Sequence, residues 1–249
     1  MGKEWNMAGL MIKDLCKSFY INNEEIKAVR NVNLNIKNES FTTIVGKSGC
    51  GKTTLLRIIC GLETQTSGDI NFLNEKGFGK VGIVFQEPRL MPWLTVKQNM
   101  AFPITKVSDK NNIDETVNKY LNMLGLEKFK DAYPSQISGG MAQRVSLGRT
   151  LCYNPDIILM DEPLGALDAF NRRKLQNEFI NIFKKYKKTI VFVTHDVEEA
   201  IYLGENVVIM DHGTVVEQVP VNMDYLRDTA SIDFIKLREQ ILNRILLKN

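Results

Sequence analysis

Gly46-Lys47-Ser48-Gly49-Cys50-Gly51-Lys52-Thr53 matches the pattern G-x-x-x-x-G-K-[ST]. A short apolar run, Phe41–Val45, precedes it. Leu55, Leu56, Ile59 and Leu62 follow at helical spacing, with Gly61 as a stop. Strand, glycine-rich turn and helix is the context in which this motif cradles phosphates. A phosphate chain needs many donors with no bulky side chains between them, and glycines let backbone N–H groups turn inward as an anion nest. The helix opening near Lys52 adds unpaired N–H groups and the positive end of its dipole. Lys52 brings a full charge to the β- and γ-phosphates, Thr53 offers a hydroxyl to Mg²⁺, and Thr54 completes the set. At about 4 Å and an effective dielectric near 20, one lysine–phosphate charge pair contributes about 4 kcal/mol before desolvation. A coincidental glycine-rich turn is the bland alternative. Taken alone, the motif leaves both an NTPase and a kinase open.

Outward from the loop, the chain alternates. Val32, Leu34 and Ile36 interleave with Asn31, Asn33 and Asn35, the period of a half-buried strand, and the opening reads as strands. Val81–Phe85, Ile157–Met160, Ile190–Val193 and Val207–Met210 are apolar throughout. Such strands, separated by helical patterns, predict an α/β fold with a parallel sheet covered on both faces. Residues 95–135 change character. Ile113, Val117, Leu121 and Leu124 mark one face of a helix beginning near Asp114 in what reads as a helical insertion. Asp211-His212-Gly213 predicts a hairpin turn. From Asn222 the tail is helical, with Phe234, Leu237, Ile241 and Ile245 on one stripe.

Composition bounds the partners. The 249 residues are 44% hydrophobic and 24% charged, an ordinary globular balance. A net charge of +3 is too small for a strongly basic nucleic-acid binder. A membrane span needs about 20 consecutive apolar residues, and none of the apolar runs approaches that. The first residues carry no secretory pattern. Cys16, Cys50, Cys60 and Cys152 form no C-x-x-C pair, which suits a reducing cytosol.

Ile157–Met160 runs into Asp161 and Glu162. Asp161 suits the metal-holding aspartate that accompanies a phosphate loop, and Glu162 is placed to polarise a water for attack on the γ-phosphate. Two acids beside a phosphate chain would repel it, an independent reason to expect Mg²⁺. The alternative is a buried strand ending in a solvated acidic turn. Ser138-Gly139-Gly140, before a helix predicted over Met141–Leu151, supplies a hydroxyl, bare backbone and unpaired N–H groups. By itself that is either a second anion site or a common N-cap loop.

Gly46–Thr53, Gln86, Ser138-Gly139-Gly140, Asp161-Glu162, Leu167-Asp168 and His195 stand in the order found in ATP-binding cassette (ABC) ATPases, and the chain resembles that family over about residues 8–220. The resemblance implies a P-loop NTPase (RecA-like) core with an N-terminal antiparallel β subdomain, an α-helical subdomain inserted at about 87–150, and a short tail over 221–249. It implies ATP and Mg²⁺, and a head-to-tail pair with a second copy in which each nucleotide lies between one phosphate loop and the other Ser138 helix. Gln86 resembles the glutamine that reaches Mg²⁺ and the attacking water. His195 resembles the histidine that contacts the γ-phosphate, and Asp168 the aspartate of the loop that crosses the dimer. Phe19, or alternatively Tyr20, sits where an aromatic stacks on adenine.

Met141 stands where glutamine is usual and cannot form its hydrogen bonds. Met141 and Gly165 resemble the import ATPases for nitrate, sulfonate, taurine and bicarbonate. That subgroup implies transmembrane permease subunits, an extracytoplasmic substrate-binding protein, and a peripheral place on the cytoplasmic face of the membrane. The solute would be small, an anion such as nitrate, sulfonate or taurine. A soluble ABC ATPase uncoupled from transport is the second reading. Trp93, beside Pro92, is either a core residue or part of the groove for the permease. The basic runs Arg172-Arg173-Lys174 and Lys184-Lys185-Tyr186-Lys187-Lys188 read as a solvated helix face or a lipid contact.

Overall fold

A computed structural model describes residues 8–72, 79–106, 109–165 and 167–246. Ala166, part of the Gly165–Asp168 stretch, lies outside the described residues. The chain divides into two compact units, one of Met1–Gly79 with Ile180–Asn249 and one of Lys80–Phe179.

In the first unit, β1 (Ala8–Ile21) pairs antiparallel with β2 (Glu24–Lys37) and with β4 (Ser67–Phe72), giving the order β2-β1-β4. Asn22 and Asn23 make the β1–β2 turn at φ +51° and +65°, the left-handed pair a tight hairpin needs. Val29, Val32, Leu34 and Ile36 point inward while their neighbours on β2 are exposed.

A second sheet holds β3 (Phe41–Val45) between β7 (Thr189–Thr194) and β8 (Asn206–Asp211), both parallel to it. β3 and β7 are buried at every residue, so both faces of each are covered, as expected of parallel strands. β9 (Thr214–Pro220) returns antiparallel to β8. His212 at φ +44° and Gly213 at +81° form the predicted turn. Phe41 packs edge-on against Phe183 at 5.6 Å and tilted against Phe192 at 6.3 Å. Such ring pairs add about 0.5–1.5 kcal/mol each beyond buried area. Helix α1 (Lys52–Ile59) follows β3, α6 (Val197–Leu203) follows β7, and α7 (Ile232–Leu246) buries Phe234, Ile241 and Ile245. Gly61, at φ +73°, ends α1 as expected, and Leu62 beyond it lies outside the helix and exposed.

In the second unit, β5 (Val81–Val84) and β6 (Ile157–Asp161) pair in parallel. The helices α2 (Val96–Ala101), α3 (Lys110–Met123) and α4 (Gly139–Cys152) lie between them in sequence, and α5 (Ala169–Tyr186) begins after β6. The unit takes in β5 and β6 as well as α2, α3 and α4. Helix α3 starts at Lys110 instead of near Asp114, because the Asp109 carboxylate caps it, accepting from the Asn112 N–H at 3.0 Å. Val117 and Leu121 of the predicted stripe are buried, with Tyr120 beside them and Leu124 buried at the C-cap, while Ile113 is only half-buried. Among the described residues, no helix is long and apolar enough to cross a membrane.

Candidate functional site

The phosphate loop leaves β3 at Gly46, and each of its glycines has its own physical reason. A Cβ on Gly46 would stand 2.0 Å from the Met210 carbonyl oxygen, so this position is glycine because β8 backbone passes against it. A Cβ on Gly51 would meet the Ala28 carbonyl at 2.2 Å, and φ is +100°. Gly49, at φ +79°, has nothing within 4 Å of its missing Cβ, which leaves the rim of the loop open. Lys47, Ser48, Gly49 and Thr53 are exposed and Thr54 is half-buried. Gly51 is the N-cap of α1 and no side chain caps that terminus, the kind of helix start that receives an anion.

Lys52 is buried, and its Nζ donates to the carbonyls of Gly46 at 2.8 Å and Lys47 at 3.0 Å. Its charge is thereby held inside the loop. Burial pushes the Cys50 thiol above its ordinary value, against the smaller downward pull of Lys52. Val45 and Thr194 are register partners at the ends of β3 and β7, so Gly46 and His195 emerge side by side at one sheet edge. His195 is exposed, and Asp196 caps α6 directly after it.

The second unit repeats this arrangement with acids. Val84 and Met160 are register partners, so the chain past β5 and the end of β6 emerge together, carrying Gln86, Asp161 and Glu162. Asp161 and Glu162 are half-exposed and Gln86 is exposed. Glu162 sits at φ +45°, a left-handed conformation that costs a non-glycine residue about 1–3 kcal/mol and clusters at functional sites. A Cβ on Gly165 would lie 3.4 Å from Gln86 Nε2, so a bare residue here leaves room beside the amide.

Ser138 is the N-cap of α4, its Oγ accepting from the Met141 N–H at 3.3 Å. That cap starts the helix at Gly139, two residues before the predicted Met141, and uses the Met141 backbone rather than its side chain. Gly139 has nothing within 4 Å of its missing Cβ, and Gly140 only Leu167 Cδ2 at 3.7 Å. Asp168 Oδ1 accepts from the N–H groups of Asn171 at 3.0 Å and Phe170 at 3.1 Å, and Asn171 Nδ2 donates to Oδ2 at 2.6 Å. These bonds, the Asn171 N–H first, hold its carboxyl below the ordinary value.

Two residues of α4 hold the site without any signal in the sequence. Gln143, buried, donates to the Phe85 carbonyl at 3.0 Å, directly before Gln86. Arg149 donates to the carbonyls of Arg89 at 2.9 Å and Pro88 at 3.0 Å. Both pin the segment around Gln86, and neither belongs to a spacing pattern that could have announced it. Phe19 is half-buried with Lys17 Nζ 4.8 Å from its ring centroid, and its neighbour Tyr20 is exposed. The core reading of Trp93 is overturned: the side chain is 72% exposed. The phosphate loop and His195 belong to the first unit, and Gln86, Ser138, Asp161, Glu162 and Asp168 to the second.

The donor chemistry fits a magnesium nucleotide. Hydroxyl and carboxylate oxygens such as those of Thr53 and Asp161 are the hard ligands Mg²⁺ takes. Among the described residues, no three His, Cys, Asp or Glu side chains cluster to hold a metal by themselves. An oxygen-donor set of this kind leaves coordination positions for phosphates and water, the usual habit of Mg²⁺.

The ABC transporter family model matches residues 29–165. An uncharacterised ABC transporter ATP-binding protein of Methanocaldococcus jannaschii is 47% identical over 240 residues, spanning 94% of this chain and 90% of that one. The aliphatic sulfonates import ATP-binding protein SsuB of Bacillus anthracis is 40% identical over 238 residues, spanning 94% of each. The dimeric post-hydrolysis structure of the ATP-binding cassette MJ0796, bound to ADP and Pi, superimposes with a TM-score of 0.77 at 33% identity, covering 86% of this chain and all of that one. With the phosphate loop, the Asp161-Glu162 strand end and the Ser138 helix in place, this chain belongs to the ABC transporter family and is its ATP-hydrolysing, P-loop cassette.

Proposed function

We propose that the chain powers a membrane importer for a small anion of the sulfonate class, working as a pair of copies bound to transmembrane permease subunits. The 40% identity with a sulfonate-import subunit supports the solute class, and Met141 and Gly165 fit it. The pair would sit at the cytoplasmic face, and an extracytoplasmic binding protein would deliver the solute.

One observation carries the reading. Gly139 and Gly140 open a helix where alanine would be more stable, yet nothing among the described residues needs their bare backbone. Something from outside approaches them, and in this family that is the nucleotide held by the other copy. On this reading Lys52 and the loop N–H groups of Gly46–Thr54 bind the phosphates, and Phe19 or Tyr20 stacks on the base. Thr53 and Asp161 would hold Mg²⁺, with Gln86 beside them, and the ion would neutralise phosphate charge. Glu162 orients the attacking water and takes its proton, and His195 steadies the γ-phosphate. Asp168 lies at the contact between copies. ATP bridges two surfaces that otherwise hold together weakly, and its cleavage removes the bridge, which moves the permease.

Glu162→Gln tests this. The variant should bind MgATP and form a stable dimer on size exclusion while hydrolysing about 100-fold more slowly, the scale of losing a general base. A variant that stays monomeric at saturating MgATP, or turns over normally, refutes it.

A further inference from the structure

Helix α6 begins two residues after His195, with only its N-cap Asp196 between them, so whatever fixes α6 fixes the histidine. The helix has seven residues, too short to hold its place by propensity alone. Its first turn is capped by Asp196, whose Oδ1 accepts from the Glu198 N–H at 2.9 Å and the Glu199 N–H at 3.2 Å. Its last carbonyls have no further turn to pair with.

The C-terminal tail meets both ends. Arg227 is 7% exposed, and its Nη1 donates to the carbonyls of Ile201, Tyr202 at 3.1 Å and Gly204 at 2.8 Å. Its Nε and Nη2 donate to the Met223 carbonyl at 3.2 and 3.1 Å, and the guanidinium lies over the Tyr225 ring at 4.9 Å. The planar fork thus ties the helix end to the segment that follows β9, and places a cation at the negative end of the helix dipole. At the other end, Arg238 on α7 donates to Glu198 Oε1 at 2.6 Å. Phe234, Ile241 and Ile245 anchor α7 in the core, so the clamp has a fixed base.

We propose that Arg227 is a positioning residue for His195: the tail grips the carbonyl end of α6 and thereby sets where the histidine stands relative to the phosphate loop. This rests on the role of His195 at the γ-phosphate proposed above. A displacement of about 1 Å at a reacting group can cost about 100-fold in rate. A lost clamp should therefore act on turnover and leave ATP capture by the loop intact.

The test is a double-mutant cycle on the full chain with Arg227→Ala and His195→Ala, read as MgATP turnover. Arg227→Ala should lower kcat about tenfold or more with KM changed less than about twofold, and the double variant should be no slower than His195→Ala alone within about twofold. The chain has only two histidines, so NMR ring resonances supply a second readout: the His195 signal should move in Arg227→Ala while that of His212 stays. Should Arg227→Ala fail to fold, Arg227→Lys keeps the charge and loses the fork. It should show the same resonance shift with a smaller fall in kcat. Additive losses in the cycle, an unmoved His195 resonance, or full kcat in a folded Arg227 variant would overturn the clamp. Normal turnover in His195→Ala, visible in that single variant, would overturn the histidine's role and the clamp with it.

Discussion

Replacing Gly140 by alanine should make the free protein more stable and the enzyme far worse. Gly140 is the second residue of α4 and its φ is not left-handed, so alanine can adopt its backbone conformation. The added methyl would find only Leu167 Cδ2, at an ordinary 3.7 Å. Alanine lowers the entropy of the unfolded chain, a gain of about 0.4–1 kcal/mol where the native conformation is compatible. For a chain of this size that raises the melting temperature by about 1–4 °C. On the proposed reading, the same methyl would occupy the space into which the second copy's nucleotide enters. A barrier of that size should cut turnover about 100-fold, the scale of an ångström's misplacement. Thermal unfolding without nucleotide, MgATP turnover, and MgATP-driven dimerisation in the Glu162→Gln background measure the three effects. Gly51→Ala is the contrasting control, because φ +100° and the Ala28 carbonyl at 2.2 Å make it destabilising as well as inactive. If Gly140→Ala melted lower than the parent, or melted higher with full turnover, the reason given for this bare backbone would be wrong.

Two further outcomes follow from the loop and the thiols. Lys52→Ala removes the ammonium that Gly46 and Lys47 hold in the loop. If even half of the charge-pair contribution of about 4 kcal/mol survives desolvation, nucleotide titration should show affinity at least about 30-fold weaker, and unchanged affinity would remove Lys52 from the site. Burial pushes the Cys152 thiol up to about 12 and raises that of Cys50, so both stay protonated and shielded at pH 8. A thiol reagent should therefore titrate Cys16 and Cys60, both half-exposed, in a fast phase and all four only after denaturation. Four fast thiols in the native protein would contradict the burial.

What could be read without coordinates was local. The glycine–lysine–threonine loop, the fully apolar strands, the Ser138 cap and the Asp211–Gly213 turn each announce themselves within a few residues, because caps, turns and side-chain periods are short-range physics. A boundary slipped where one side chain decided it: Asp109 moved the start of α3 forward, whereas Gly61 ends α1 as its conformational freedom predicts. Only the folded structure decided that Gly46 is bare because Met210 passes behind it, that Gln143 and Arg149 hold the stretch beside Gln86, and that Arg227 closes the end of α6. Those contacts join residues tens to more than a hundred positions apart. Nothing in the pattern around a buried arginine or glycine says which distant carbonyl it will meet, because that partner is chosen by packing once the elements have formed.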